Sequence, residues 1–151
     1  MNDEEVREFL VQFRVRSHAE GSAFVDRILD RPGWLRPFIA WGVCQKFQDP
    51  HMVSFLDIIR GENLLTPLDL AAIQVPTLLL WGQSERVLPA SHLDFFRTHL
   101  PPQARIEEPD QWGHAPFLTH AEELSRRMLR FLAEVHSETA GAWRALLPAA
   151  G

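Results

Sequence analysis

Apolar side chains recur at helical spacing through the first half of the chain. Val6, Phe9 and Phe13 repeat every three or four residues behind an acidic opening turn, which suits the positive end of a helix dipole. The same spacing continues in several segments up to about residue 73. Residues 1–73 are therefore predicted to form a block of helices joined by short turns.

Further helices are predicted inside this block, and residues 66–69 resemble the capped start of the last one. One begins at Ser22, and the next runs from Arg31 towards Phe47 and is rich in aromatic residues. The boundaries of the following helix are the clearest, because Asp49 can cap its amino terminus and Gly61 can end it. Capping residues at both ends make this the best-defined helix of the sequence.

The pattern changes after the helical block, where a continuous apolar run covers residues 77–81 and stops at Gly82. A run of this kind predicts a strand that is buried on both faces of a parallel sheet. A helix is expected after Pro89, a more polar strand over 104–107, and an amphipathic helix over about 121–134. The order strand–helix–strand–helix predicts two parallel strands joined by a right-handed crossover.

These elements divide the chain into three parts. Residues 1–73 form the helical block, residues 74–136 form a short α/β unit, and the Ala- and Pro-rich residues 137–151 are expected to be a loosely ordered tail. The last helix is expected to turn its apolar side chains inward and its charged ones, among them Arg127, towards water. The predicted fold class is α/β, with a short parallel sheet.

Composition narrows the function classes. The chain has 151 residues, of which 46% are hydrophobic and 23% charged, as in an ordinary globular domain. The net charge is −5 and the lysines and arginines are scattered, which argues against a nucleic-acid partner. No apolar stretch approaches the roughly 18 residues of a membrane span, so no membrane partner is expected.

The cysteine content and the amino terminus bear on the cellular compartment. Cys44 is the single cysteine, so neither an internal disulfide nor a thiolate metal site is expected. The first five residues are acidic where a signal peptide needs positive charge. Both features lead us to expect a cytoplasmic protein.

Two segments of the α/β unit carry the candidate chemistry. The first reads VPTLLLWGQSE over residues 75–85, and the second reads WGHAP over residues 112–116. They resemble the acid loop and the histidine loop of α/β-hydrolases, each of which follows a strand of the sheet. The resemblance covers about residues 73–134, and the helical block stands where that family places its cap domain.

The resemblance implies that Glu85 is the catalytic acid and His114 the general base. A serine hydroxyl needs a base to take its proton, and the base needs a carboxylate that fixes its tautomer. Both residues follow parallel strands, where open α/β sheets bind ligands, and the order of acid before histidine is that of the family. The family usually has aspartate as its acid, and Asp110 is a weaker alternative. The alternative to catalytic roles is that Glu85 is an ordinary surface glutamate and His114 an ordinary histidine in a turn.

No nucleophile is recognisable in the sequence. The nucleophile elbow of the family, Gly-x-Ser-x-Gly, needs two glycines four residues apart because its strained turn leaves no room for side chains. The glycines lie at 21, 33, 42, 61, 82, 113, 141 and 151, so the elbow is absent, and so is the His-Gly oxyanion loop. The nearest imitation surrounds Cys44, but Lys46 stands where a glycine is needed. Cys44 is therefore predicted to be a small buried residue.

Aromatic residues of the third and fourth helices are candidates for a substrate pocket. They are predicted to lie in the core of the helical block, whereas in a cap domain they would face the site and line an apolar pocket: Trp34, Phe38, Trp41 and Phe55. The histidines at 18, 51 and 120 have no metal-ligand spacing with one another. Neither a metal nor another cofactor is expected.

Three hypotheses of function are compatible with these features. The first is a truncated relative of the α/β-hydrolases, inactive alone, whose parent acts on esters or similar small apolar substrates with a serine or aspartate nucleophile. The second is a non-enzymatic helical module that binds an apolar ligand or a protein, and the third is an unrelated α/β domain. The strand over 77–81 leaves one edge open, so we expect pairing there, as a homodimer or with a complementing N-terminal half.

Overall fold

Eight α-helices, two β-strands and two short 3₁₀ helices, Val11–Phe13 and Gly61–Asn63, are found in the described part of the chain. The computed structural model describes residues 2–31 and 33–146, with side chains as far as residue 137. A helical block comes first and strand–helix–strand–helix follows, which confirms the predicted fold class. The elements are α1 Asp3–Leu10, α2 His18–Ile28, α3 Arg36–Gln48, α4 Pro50–Ile58, α5 Pro67–Ala71, β1 Leu78–Leu80, α6 Ala90–His99, β2 Arg105–Glu107, α7 Pro116–Thr119 and α8 Ala121–Leu146.

Capping side chains set several boundaries in the helical block. Ser17 and Glu20 close a capping box on α2, so this helix begins at His18 and the predicted start at Ser22 is wrong. Asp49 caps α4 through two backbone N–H groups, as predicted. The sequence therefore carries signals for the starts of these helices. The predicted end of α4 at Gly61 is wrong, because the helix ends at Ile58 and Gly61 begins a short 3₁₀ helix.

Helix α3 packs on α2 through small residues. It begins at Arg36 rather than at Arg31, since Pro37 is tolerated only in the first turn of a helix. A β-carbon on Gly21 would lie 2.7 Å from the Ala40 carbonyl oxygen, so the two helices are in close backbone contact. The side of α3 that carries Ala40 therefore faces inward.

The helical block shares its core with the α/β unit. A buried cluster of Val25, Leu29 and Ala40 also contains Ala115, which belongs to the second of the two candidate segments. Three aromatic rings, from Phe13, Phe24 and Phe47, pack beside this cluster. The segment around Ala115 is thus held by the helices that precede it in sequence.

The two strands form a parallel pair, as predicted, with Leu79 beside Ile106. Residues 78–80 are half-buried, so the prediction of a strand buried on both faces is wrong. The reason is that β1 has a single partner strand: within the described residues the sheet consists of β1 and β2.

The open edge of β1 exposes hydrogen-bonding groups. The Trp81 N–H donates to β2 at 2.9 Å, and the Thr77 carbonyl accepts from β2 at 2.9 Å. Because backbone groups alternate in direction along a strand, the N–H and C=O groups of Leu78 and Leu80 point away from β2. These are the groups that another strand would use.

Helix α8 extends to Leu146, well beyond the predicted end near residue 134. Residues 137–146 of the predicted tail lie within this helix, in keeping with a segment that is rich in alanine and other helix formers and contains no proline. Residues 147–151, the rest of that tail, lie outside the described residues. No helix in the described part of the chain combines the length and the apolar character needed to cross a membrane.

Candidate active site

The loop that follows β1 lies directly against the loop that follows β2. The Ser84 N–H donates to the Trp112 carbonyl at 2.9 Å, and the Gln83 N–H donates to the Pro109 carbonyl at 3.1 Å. Gly82 touches the same Trp112 backbone, at a distance that leaves no space for a side chain. These backbone contacts hold the two loops together.

Glu85 and His114 are brought together by these loops. Glu85 Oε2 lies 2.8 Å from His114 Nδ1, and Glu85 Oε1 accepts hydrogen bonds from the N–H groups of Val87 at 2.6 Å and Leu88 at 3.0 Å. The glutamate side chain is 9% exposed and the imidazole is 41% exposed. The carboxylate is thus enclosed while the imidazole is open to solvent, and the contact expected between the two residues is present.

The surroundings of Glu85 favour its charged form. Burial by itself raises the pKa of Glu85, but the hydrogen bonds from His114, Leu88 and Val87 outweigh burial and leave the pKa below its ordinary value of 4.5. A carboxylate that stays ionised can accept the Nδ1 proton in a hydrogen bond and stabilise an imidazolium. This is the environment that an orienting acid requires.

The contact with Glu85 also decides which nitrogen of His114 can act as a base. Since Nδ1 is engaged by the carboxylate, the neutral imidazole carries its proton there and presents Nε2 as an acceptor. No side chain within the described residues forms a hydrogen bond with Nε2. The pair can therefore accept a proton from a hydroxyl or from water.

Trp112 anchors the histidine loop through a network of charged side chains from α8 and β2. Its side chain is fully buried, and its Nε1–H donates to Glu123 Oε2 at 3.2 Å. The Arg127 guanidinium lies 5.6 Å from the centre of an indole ring and pairs with Glu123 at 2.7 Å and Glu107 at 2.6 Å. The expectation that Arg127 faces water is wrong, because it joins α8 to β2 beneath the loop. The spacing of four residues between Glu123 and Arg127 is the one sequence signal for this network.

The carboxyl end of α2 holds both loops from the other side. The Ala115 N–H donates to the Ile28 carbonyl at 3.1 Å, and a β-carbon on Gly113 would lie 2.8 Å from that carbonyl oxygen. In the acid loop, Arg86 Nη2 donates to the Leu29 carbonyl at 2.9 Å. The helical block therefore supports the positions of Glu85 and His114, and no sequence pattern points to this support.

The other candidate residues are not brought to this pair. Cys44 is buried inside α3, and its sulfur accepts a hydrogen bond from Gln48 at 2.9 Å. Asp110 is exposed, and in the described structure it forms no hydrogen bond with His114. Among the described residues no three histidine, cysteine, aspartate or glutamate side chains gather in a way that could hold a metal ion.

The four aromatic candidates are all exposed, on the turn before α3, on α3 itself and on α4. Their exposed fractions are 81% for Trp34, 68% for Phe38, 62% for Trp41 and 56% for Phe55. The prediction that they lie in the core is wrong, because α3 turns its small residues towards α2 and leaves its aromatic side outward. Their role in substrate binding stays a prediction.

Solved structures of several enzymes match the fold of this chain. The 2-hydroxy-6-oxo-6-phenylhexa-2,4-dienoate hydrolase from Rhodococcus sp. strain RHA1 matches with a TM-score of 0.67 and 14% identity, over 88% of this chain and 50% of the enzyme. Carboxylesterase CesB from Bacillus subtilis matches with a TM-score of 0.60 and 23% identity, over 85% of this chain and 45% of the enzyme. A membrane phospholipase A, a bacterial virulence factor, matches with a TM-score of 0.62 and 23% identity, over 82% of this chain and 40% of the phospholipase. The chain has part of the α/β-hydrolase fold.

The α/β-hydrolase fold accounts for most of this chain, whereas the chain spans about half of each matched enzyme. The resemblance carried by the two loop segments is thus confirmed for the fold. No protein-family model matches the sequence, and no curated protein matches it. Among α/β-hydrolases, serine or aspartate attacks the substrate, and this chain holds its acid and base candidates without a recognisable nucleophile elbow.

Proposed function

We propose that the chain provides the acid–base pair of a hydrolase that acts on esters or similar small apolar substrates. The observation that carries the proposal is the 2.8 Å contact between Glu85 Oε2 and His114 Nδ1, with Nε2 left open. In this role Glu85 orients the imidazole and His114 is the general base. Neither residue attacks the substrate, so the reaction also needs a nucleophile.

The chemistry of the pair follows from its geometry. With a serine nucleophile, His114 Nε2 accepts the hydroxyl proton as the oxygen attacks the ester carbonyl carbon, and the imidazolium then gives that proton to the departing alkoxide. Water, activated by the same nitrogen, releases the acyl group. With an aspartate nucleophile, His114 activates only the water. The pair serves either chemistry.

We also propose that the nucleophile belongs to a polypeptide segment that pairs with the open edge of β1. Leu78 and Leu80 direct their backbone groups to that edge, and their side chains line a groove of about 280 Å³ with Met128, Phe131 and Leu132 of α8. A segment with an apolar strand would satisfy the backbone groups and cover these side chains together. This placement supports delivery of the nucleophile at the edge of the same sheet.

The proposed substrate class rests on the exposed aromatic surface. A cap domain that turns Trp34, Phe38 and Trp41 outward presents rings to an apolar acyl or aryl group, and binding covers surface that water now contacts. The esterase and hydrolase activities of the matched enzymes agree with such substrates. A small apolar ester is therefore the first substrate to test.

Reconstitution tests the proposal. The chain alone should neither hydrolyse nitrophenyl esters nor react with a fluorophosphonate, because no nucleophile elbow is recognisable in its sequence. Mixed with the part of the Bacillus subtilis carboxylesterase that the match leaves out, it should gain nitrophenyl butyrate hydrolysis and fluorophosphonate labelling of the added segment. His114→Ala should abolish the gain, whereas His136→Ala, an exposed histidine of α8, should leave it intact.

A second pair of variants tests the proposed pairing at the open edge of β1. Leu132→Glu places a charge in the groove beside β1 and should prevent the gain of activity, while Leu118→Glu, a comparably exposed leucine of α7, should not. Labelling of the chain by itself would place a nucleophile inside it and contradict the proposal. A stable homodimer that excludes the added segment would instead assign the edge to a second copy.

A further inference from the structure

A groove with a charge opposite to that of the whole chain runs beside the turn between α1 and α2. Its volume is about 620 Å³, within the usual range for a site that binds a small molecule. Its floor is formed by Val15 and Phe24, which are buried, and Val11 is exposed at its rim. The walls carry the arginines at 14, 16 and 27.

The guanidinium groups of this groove have donors to spare. The protein carries a net charge of −5, yet the described residues that line the groove include three arginines and a single carboxylate, Glu20. Glu20 is occupied by the N–H groups of Arg16 and Ser17, at 2.6 Å and 3.2 Å. Arg14 pairs with Asp57 through one nitrogen at 2.6 Å, while the side chain of Arg16 forms no hydrogen bond within the described residues. The groove is therefore locally positive.

We propose that this groove binds an alkyl anion, a molecule with one carboxylate or phosphate head and a short apolar tail. The planar fork of a guanidinium matches both heads in two parallel hydrogen bonds, so Arg16 and Arg14 would hold the head. The tail would lie on Val15 and Phe24 and be covered by Val11, where burial of apolar surface favours binding. Neither the arginines nor the apolar floor alone would select such a ligand.

The groove is separate from the candidate active site. Neither Glu85 nor His114 lines the groove, which is formed by residues of α2 and of the segment before it. Arg27 is the one link, since its Nε donates to the Arg86 carbonyl at 3.3 Å and its Nη2 to Gln12. Arg27 therefore has a structural task, and Arg16 is the better residue to change.

Titration of the intact chain with octanoate and with octyl phosphate, followed by amide NMR, tests the proposal. We expect saturable shifts confined to residues 11–16 and 20–27, and the tighter of the two ligands identifies the preferred head. Octyl glucoside, which has the tail without the charge, and acetate, which has the charge without the tail, should bind far more weakly. Added salt should weaken octanoate binding, since the arginines are open to solvent.

Two arginine variants decide the result. Arg16→Gln should raise the Kd by about tenfold, because one charge-assisted pair is lost, while circular dichroism shows an unchanged fold. Arg126→Gln, an exposed arginine of α8, should leave the Kd unchanged. Equal binding of octyl glucoside and octanoate, an unchanged Kd for Arg16→Gln, or shifts centred on the β1–α8 groove would each overturn the proposal.

Discussion

A β-carbon on Gly82 would lie 2.1 Å from the Trp112 carbonyl oxygen, so the acid loop and the histidine loop are in backbone contact. We predict that Gly82→Ala lowers the free energy of unfolding by about 2–3 kcal/mol, since the two loops must separate to admit the methyl group. Urea denaturation followed by tryptophan fluorescence measures this loss, because Trp112 is buried at the contact.

Gly42→Ala is the matched control for that substitution. No atom lies within 4 Å of the β-carbon position of Gly42, which stands in the middle of α3. Alanine should therefore raise the free energy of unfolding by about 0.5–1 kcal/mol, through its better helix propensity. Equal effects of the two substitutions would contradict the close contact between the loops.

The hydrogen bonds to Glu85 predict a loss of stability that depends on pH. Glu85→Gln keeps the shape of the side chain but removes its charge, so the free energy of unfolding at neutral pH should fall by about 1–2 kcal/mol. Because the folded pKa of Glu85 lies below the ordinary value of 4.5, the carboxylate stabilises the fold above that value, and this contribution is lost as the pH falls through the folded pKa. The wild type and the variant should therefore converge in acid.

Urea denaturation at a series of pH values checks this convergence. Glu122→Gln is the control, because Glu122 is an exposed residue of α8 that pairs with Arg126 across one helical turn. Its substitution should change stability little at any pH, as is typical of surface pairs. A difference between Glu85→Gln and wild type that stays constant down to acid pH would argue that the lost stability comes from packing and not from charge.

The sequence predicts those parts of the structure that short-range signals control. Asp49 before Pro50 gives the start of α4, and the apolar run before Gly82 gives β1. The spacing from that strand to Glu85, and from β2 to His114, is enough to bring the two residues together, because parallel strands end at the same edge. These inferences need no knowledge of tertiary packing.

Other features of the structure depend on tertiary packing and cannot be predicted from short-range sequence patterns. The aromatic side of α3 is outward because Gly21 lets Ala40 approach α2, and helical spacing alone does not say which side of such a helix faces inward. Arg127 is on the charged side of an amphipathic helix, yet β2 and Trp112 lie close enough to engage it. The apolar run of β1 is half-buried because, within the described residues, β2 is its single neighbouring strand.

The position of Arg127 predicts a specific weakness of the histidine loop. Arg127→Met removes the cation between Glu107 and Glu123 and its contact with the Trp112 ring. We expect the free energy of unfolding to fall by about 1–2 kcal/mol, because two carboxylates lose their shared partner and a cation–π contact is lost. Amide NMR should show the largest shifts in residues 112–116, and hydrogen exchange there should become faster.

A substitution of the neighbouring Arg126 is the control for a general effect of losing one positive charge from α8. Arg126→Met removes an exposed ion pair with Glu122 on the same helix, and we expect little change in stability and none in residues 112–116. Arg127→Lys should restore the fold only partly, since one ammonium group does not match the fork that bridges two carboxylates. Full recovery with lysine would show that charge alone supports the loop.

Because the aromatic side chains of α3 are exposed, we predict that their substitution weakens the binding of apolar ligands without lowering the free energy of unfolding. Phe38 and Trp41 stand one turn apart on the outward side of α3, and most of each side chain contacts water. The double substitution Phe38→Ser and Trp41→Ser should therefore change the free energy of unfolding by no more than about 0.5 kcal/mol, as is usual for surface positions. The same variant should bind a fluorescent apolar dye much more weakly, because the rings that cover the dye are gone.

A second apolar pair on the surface provides the comparison. Phe117 and Leu118 of α7 are exposed to a similar degree, so Phe117→Ser and Leu118→Ser together remove a comparable apolar area elsewhere. Dye titration of the three proteins should rank the α3 variant well below both the wild type and the α7 variant. If the two variants lose dye binding equally, exposed area alone attracts the dye and α3 has no special role. If the α3 variant unfolds easily, the rings are packed against the protein, and their use as a substrate surface is ruled out.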